Sequence, residues 1–281
     1  MIVSAFCFAL MNTFVRLSGD LPSVQKSFFR NFVAMFVALG VLIPSGGGFR
    51  MQKGCLHLHL LRSGLGTLGI LCNFYAIDHL VLANASMLNK MSPFFVLIFS
   101  FFILKERMTR AQVAIVVTAF VGALFIIKPV PDNLELMPSV LGLIGGMCAG
   151  FAYTMVRAMG LKGERGPFIV FFFSAFSCAV TLPYLLLRFH PMSLHQLLML
   201  LGAGLSAAGG QFTITTAYTF APGKEISVYD YSQLIFATVI GYLLFGQVPD
   251  PWCWLGYALI VGAAVTMFLY NNGRLPGRRE R

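Results

Sequence analysis

The chain has 281 residues, of which 58% are hydrophobic and only 11% are charged. A soluble domain carries about a quarter charged residues, so this composition excludes an ordinary soluble protein and indicates an integral membrane protein. The excess of 20 Lys and Arg over 10 Asp and Glu does not indicate nucleic-acid binding, because the basic residues stand between apolar runs and are typical of membrane topology.

Ten apolar runs, separated by turn and charge signals, predict an all-α membrane protein with ten transmembrane helices. The first run is short for a span, so either it continues past Arg16 to Leu17 or the natural chain begins upstream of Met1. The approximate ranges of the ten helices are 2–17, 24–43, 58–77, 80–104, 111–127, 139–156, 168–187, 194–218, 226–245 and 252–270.

The distribution of basic residues predicts which side of the membrane the loops occupy. With both termini in the cytoplasm, fourteen Lys and Arg, including Arg62, fall on the inside and five on the outside. Cytoplasmic loops are enriched in Lys and Arg. We therefore expect a multi-pass protein of the inner or plasma membrane with both termini cytoplasmic.

The fourth predicted helix, 80–104, carries a lysine and a proline near its middle. A lysine at the centre of a membrane helix costs on the order of 2.5 to 3.5 kcal/mol, so Lys90 is expected to face a cavity or a partner. Pro93 has no amide proton and leaves the carbonyl near Asn89 without its helical partner. Ser86, Lys90 and Pro93 share one face of the helix, with Asn89 beside them. The pattern predicts a broken helix at a binding site near the middle of the membrane.

An offset of 141 residues relates the two halves of the chain and places, for example, Ala76 on Ala217. Predicted helices three to five match helices eight to ten in length and spacing. Each half holds five helices, an odd number, so the second copy is predicted to be inverted relative to the first. We expect residues 1–132 to form the first five-helix repeat and residues 133–281 the second, with a short basic C-terminal tail.

The same offset places Asn89 and Lys90 on Asp230 and Tyr231. Asp230 is the predicted counter-ion of Lys90, and Ser227 extends the polar face around Asp230 and Tyr231. A small zwitterion would bridge the pair, with its carboxylate on Lys90 and its amine on Asp230. Alternatively, Asp230 takes up a proton and couples transport to the proton gradient. A purely structural ion pair is the third interpretation.

Further polar residues within the apolar runs are candidates for a cavity wall. Asn73, Tyr153 and Gln211 are expected to face inward, because unpaired amides are expensive in lipid. Arg16 and Arg30, near the ends of the first two helices, are predicted to lie toward the outer mouth. There they would either attract anions or extend to the membrane interface.

Gly142, Gly146 and Gly150 recur at four-residue spacing and predict close helix packing. We expect this packing within one protomer; a sliding surface or a dimer contact is the alternative, and the oligomeric state is left open between monomer and homodimer. No metal-ligand spacing, phosphate-binding glycine loop or hydrolase motif is present, so we predict no cofactor, no metal and no enzymatic activity.

Several short strings in the chain carry a family pattern. Those of the first half are Leu61-Arg62-Ser63-Gly64, Asn73-Phe74-Tyr75-Ala76-Ile77, Ala83-Asn84-Ala85-Ser86, Lys90-Met91-Ser92-Pro93-Phe94 and Leu104-Lys105-Glu106. They resemble the first repeat of the drug/metabolite transporter superfamily, EamA type, and the stretch from Ala217 to Gln247 is similar to its second repeat. Nearly the whole chain is covered. The family usually closes each repeat with Gly-Glu, whereas here Gly246-Gln247 lacks the second acid.

The resemblance implies ten helices in two inverted five-helix repeats, cytoplasmic ends and secondary transport of small metabolites through a central cavity. Together with the charged pair, it leads to a predicted secondary transporter of a small anionic or zwitterionic metabolite, of the amino acid or organic acid class. Two alternatives are a lipid-handling or flippase-like protein of the same fold and a non-transporting membrane interaction protein. The direction of transport and its coupling to protons or to exchange are left open.

Overall fold

The computed structural model describes residues 1–44, 49–105, 108–128, 134–221 and 226–273. Throughout these ranges the regular structure is helical, with no strand. The elements are α1 (Ile2–Leu17), α2 (Ser23–Leu42), α3 (Leu56–His79), α4 (Leu82–Asn89), α5 (Ser92–Ile103), α6 (Arg110–Ile127), α7 (Leu136–Leu161), α8 (Gly166–Leu187), α9 (Leu194–Phe220), a 3₁₀ turn (Ser227–Tyr231), α10 (Ser232–Phe245) and α11 (Pro251–Asn271).

Ten spans follow from these elements. Eight helical stretches of the described chain are long and apolar enough to cross a membrane; α4 with α5 forms one of them, and the 3₁₀ turn with α10 forms another. The other two spans are α1, which has 16 residues, and α2, which has 20 residues and includes Lys26 and Arg30. The chain is a multi-pass membrane protein, and the predicted fold class is confirmed. Because α1 runs from Ile2 to Leu17, the helix continues past Arg16.

The fourth span is interrupted at the position that its proline predicts. Helix α4 ends at Asn89, and Lys90 and Met91 separate it from α5, which has Pro93 in its first turn. Pro93 cannot donate a hydrogen bond to Asn89. The amide of Phe94 instead donates to the carbonyl of Met91 at 3.0 Å, the tighter pattern of a 3₁₀ turn. The backbone beside Lys90 is therefore locally reorganised, as expected.

The second half of the chain has its own interruption at the corresponding place, the 3₁₀ turn Ser227–Tyr231 before α10. Each contact between helices of one pair also has a counterpart with the two halves interchanged. Helix α1 packs against α9, and correspondingly α7 packs against α3. Helix α10 packs against α1, and correspondingly α5 packs against α7. The pairs α2 and α8, α4 and α10, and α6 and α11 each join equivalent helices. This is the pattern of two copies related by a two-fold axis. The predicted boundary between residues 132 and 133 lies outside the described residues and stays a prediction.

The glycine row of α7 allows the broken span to pack closely against this helix. A Cβ atom added to Gly146 would lie 2.6 Å from the carbonyl oxygen of Leu88, and one added to Gly150 would lie 2.5 Å from the Cβ of Phe95. A Cβ atom added to Gly142 would lie 3.4 Å from the Cβ of Leu88. The three glycines therefore serve packing within the protomer, as predicted, and they hold the break at a fixed position against α7.

Candidate functional site

Lys90 and Asp230 form a buried ion pair between the two halves of the chain. The Nζ atom of Lys90 lies 2.7 Å from Oδ2 of Asp230, and the two side chains are 4% and 1% exposed. Each residue belongs to the interruption of its own span. Lys90 and Asp230 therefore lie next to each other, as expected from the sequence. The second carboxylate oxygen of Asp230 has no hydrogen-bond partner among the described residues, so the pair leaves one strong acceptor unused.

A cavity adjoins Lys90 and is lined by side chains from both halves. The space in it that is open to the centres of water molecules is about 70 Å³. One water needs about 10 to 15 Å³ on this measure, so the cavity accommodates several waters or a small solute. Five of the residues predicted to bind substrate line the cavity: Lys90, Asn89, Asn73, Tyr153 and Gln211. Its other lining residues are Phe8, Met11, Asn12, Arg30, Arg62, Gly66, Gly69, Ile70, Ala149, Ala152, Phe173 and Gln233.

Two of the residues predicted to bind substrate, Ser86 and Tyr231, do not line this cavity. Ser86 lies one turn before the break and faces α1, where its hydroxyl accepts a hydrogen bond from Asn12 at 3.4 Å. Tyr231 packs against Phe94, with ring centroids 6.2 Å apart. The side chain of Ser227 lies outside the described part of the chain. Asp230 is not part of the wall itself but is connected to it through Lys90.

Arg30 does not extend to the membrane interface, which was one of the two alternatives predicted for it. Arg30 is 1% exposed and lines the cavity. It stands about two turns inside α2, and its guanidinium lies 5.7 Å from the centroid of the Phe173 ring. The depth of the residue and its aromatic partner keep the charge inside the protein instead of at the interface.

Arg62 is a site residue that the sequence analysis missed by counting it among the cytoplasmic charges. It is 2% exposed, and its guanidinium lies 3.5 Å from the centroid of the same Phe173 ring. The Nη2 atom donates to Oε1 of Gln211 at 2.9 Å. The signal was present, because a cation inside an apolar run is the feature that singled out Lys90.

Arg16 makes structural contacts instead of presenting a free charge at a mouth. Its Nη1 atom donates to the carbonyl oxygen of Ile77 at 2.9 Å and also to that of Leu80, and its guanidinium lies 5.3 Å from the centroid of the Phe245 ring. The carbonyls at the end of a helix have no partner within the helix, and cations there are stabilising. Arg16 therefore fixes the end of α3 to the end of α1.

Gln247 stands where the family pattern has its second acid. Its Oε1 atom accepts a hydrogen bond from the backbone amide of Leu82 at 3.0 Å, at the N-terminus of α4. A neutral amide oxygen is sufficient for this contact, so Gln247 caps α4 without a carboxylate. The corresponding acid of the first half, Glu106, lies outside the described residues. Across the described ranges, no group of three His, Cys, Asp or Glu comes together as metal ligands.

The chain is similar to transporters over nearly its full length. It is 32% identical to the pseudopaline exporter CntI of Pseudomonas aeruginosa, with 97% of this chain and 95% of the exporter aligned. It is 27% identical to a riboflavin transporter of Vibrio cholerae, with 100% of this chain and 95% of that protein aligned. It is also 27% identical to human solute carrier family 35 member G1, with 94% of this chain and 76% of that protein aligned.

A crystal structure of a protein that is 15% identical superimposes with a TM-score of 0.73, over 97% of this chain and 96% of the other. At this identity the likeness shows the fold alone. The EamA-like transporter family matches this sequence twice, at residues 1–128 and 136–269. The chain therefore belongs to the EamA-like transporter family, within the drug/metabolite transporter superfamily.

Proposed function

We propose that the protein is a secondary transporter of a small anionic or zwitterionic metabolite, of the amino acid or organic acid class. The observation that carries the proposal is the Lys90–Asp230 pair at the two helix interruptions, beside a cavity that both halves line. A buried ion pair is weak evidence for a stabilising role, because desolvation offsets much of its attraction. A substrate carboxylate in the cavity would offer Lys90 a second partner, so the pair suits a site that exchanges partners during transport.

The relatives support small-molecule transport without selecting one substrate for this chain, because their names specify pseudopaline in one case and riboflavin in another. For the direction of transport we favour export, on the similarity to the pseudopaline exporter. For topology we place both termini in the cytoplasm of the inner or plasma membrane, on the excess of basic residues on that side, which is thirteen against four once the cavity-lining Arg62 and Arg30 are left out of the fourteen and the five.

Coupling to protons would involve Asp230, whose partner Lys90 is the group that a substrate carboxylate would engage. When Lys90 turns to the substrate, a proton on Asp230 would compensate the carboxylate left in the low-dielectric interior. Transport would then depend on an imposed pH gradient. Uptake of the same size with and without that gradient would favour exchange of one metabolite for another.

The test is uptake into liposomes containing the purified protein, with a panel of amino acids and organic acids. We expect at least one of these compounds to accumulate, and we expect Lys90→Ala to abolish its uptake while the variant remains folded in the membrane. The control is Lys53→Ala, which changes an exposed lysine outside the helices and should transport normally. Full activity of Lys90→Ala would remove Lys90 from the mechanism, and no uptake of any compound would contradict the proposed substrate class.

A further inference from the structure

Arg30 and Arg62 converge on one aromatic ring in the cavity wall. Arg30 extends from α2 and Arg62 from α3, and their guanidinium carbons lie 5.7 Å and 3.5 Å from the ring centroid of Phe173 on α8. A cation–π contact with the ring leaves N–H donors of a guanidinium available for acceptor atoms. The arrangement brings two guanidinium groups from different helices to one place.

Within the described ranges, most hydrogen-bond donors of these two side chains have no protein partner. Arg62 donates through Nη2 to Gln211, and Arg30 donates through Nη1 to Asn31. Each guanidinium has five N–H donors. The Nε atoms of both arginines are buried without a partner among the described residues. Native proteins rarely bury donors of a charged group without acceptors, so this part of the wall is built to receive acceptor atoms.

The charges of the cavity are also unbalanced. The lining residues include Arg30, Arg62 and Lys90 but no Asp or Glu. Asp230 lies behind Lys90 and is already engaged by it at 2.7 Å. Neither arginine forms an ion pair with any carboxylate of the described ranges. Two positive charges therefore remain uncompensated in an interior where unpaired charges are costly.

We infer that the cavity binds a substrate with two negative charges and that Arg30 and Arg62 hold its acidic end. This inference rests on the proposed function and narrows it from anions and zwitterions in general to dianions. Arginine forks match the two oxygens of a carboxylate or a phosphate, so a dicarboxylic acid and a phosphate monoester share the required chemistry. Gln211 and Asn31 fix the orientation of the two forks before the substrate arrives.

The test compares probes of matched size on the purified protein in detergent micelles, by calorimetric titration at constant ionic strength. Succinate and methyl phosphate are the dianions, and butyrate and 4-aminobutyrate are the monoanion and the zwitterion of the same chain length as succinate. We expect at least one dianion to bind about tenfold or more tightly than both of these, since charge-assisted hydrogen bonds to arginine would be gained. A preference for succinate would indicate a dicarboxylic acid, and a preference for methyl phosphate would indicate a phosphate monoester.

Substitutions then assign the preference to the two arginines. Arg30→Gln and Arg62→Gln should each abolish it, whereas Arg62→Lys should retain only part of it because lysine lacks the planar fork. The matched control is Arg157→Gln on α7, since Arg157 donates to the carbonyl of Thr219 and does not line the cavity. This control should keep the full preference.

The outcomes of these binding experiments distinguish a failure of the dianion inference from a failure of the proposed transport function. If neither dianion binds more tightly than the matched monoanion and zwitterion, the inference is overturned, even if a zwitterion is transported in liposomes. If the dianion preference is present but no compound is transported, the arginine site stands and the proposed function fails. If the Gln variants do not fold, the comparison of probes on the unaltered protein still decides. If they fold and keep the preference, Arg30 and Arg62 only hold α2 and α3 against α8.

Discussion

Removing both members of the Lys90–Asp230 pair separates a transport site from a structural contact. Lys90→Met leaves the carboxylate of Asp230 buried without its cation, and Asp230→Asn leaves the ammonium without its anion. The double variant removes both charges together. The perturbation is sharp because the side chains are 4% and 1% exposed and lie 2.7 Å apart, so water has little access to the charge that remains.

The burial of the pair sets the expected size of the effect. Breaking a buried pair by removing one partner costs about 3 to 5 kcal/mol, whereas replacing both partners by neutral groups is often close to neutral. We therefore expect each single variant to be destabilised by up to about this amount and the double variant to recover most of it. Because the double variant should cost less than either single variant, the coupling free energy in the double-mutant cycle should exceed the cost of one single variant, about 3 kcal/mol or more.

Unfolding in detergent micelles measures the stability of the four proteins, and uptake into liposomes measures their transport. If the pair belongs to the substrate site, the double variant regains stability but transports nothing. If it regains both stability and transport, the pair is only structural and the assigned role of Lys90 is refuted. The matched control pair is Lys26 and Asp78, with Nζ and Oδ1 2.6 Å apart and side chains 0% and 22% exposed. Because neither residue lines the cavity, Lys26→Met with Asp78→Asn should leave transport intact.

Two further predictions concern stability. Gly146→Ala would place a Cβ atom 2.6 Å from the carbonyl oxygen of Leu88 and should cost about 1 to 3 kcal/mol in the unfolding assay, whereas Gly262→Ala, with no atom within 4 Å, should be neutral or stabilising. Asp250→Ala should destabilise by about 1 kcal/mol, because Asp250 caps the amides at the start of α11, whereas Asp250→Asn should keep the cap. Although burial raises the pKa of Asp250, hydrogen bonds, above all from Lys128, hold it at about 2, below its ordinary 3.8. The charge of Asp250 therefore stabilises the protein above about pH 4, and the difference between the unaltered protein and Asp250→Asn should disappear as the pH falls toward about 2 in tryptophan-detected unfolding.

Much of the fold was predictable because its causes are local in the sequence. A span needs an apolar run of sufficient length, and a break needs a residue such as Pro93 that cannot donate a backbone hydrogen bond. The ends were less predictable: α7 covers Leu136–Leu161, whereas its apolar pattern indicated 139–156. Helical hydrogen bonding continues through residues such as Arg157 that are too polar to contribute to an apolar run.

The ion pair was the part of the site that could be predicted, because the cost of a charge in lipid and the internal repeat led to the same two residues. Lys90 and Asp230 each lack a partner on their own helix, and the offset of the repeat brings their positions together. Ser86 and Tyr231 share that neighbourhood along the chain, yet they face α1 and Phe94. Proximity to a site in sequence does not establish which way a side chain points, since residues one turn apart meet different neighbours.

The amino-acid sequence alone was sufficient for the membrane class, the ten spans, the interruption at Pro93 and the pairing of Lys90 with Asp230. The convergence of Arg30 and Arg62 on Phe173 became apparent only from the packed helices. Composition and periodicity describe one helix at a time; a cation inside an apolar run marks a residue as unusual, but not which groups of other helices it meets. Three helices distant along the chain must pack before two cations share one ring, and that packing depends on the shapes of all their faces together.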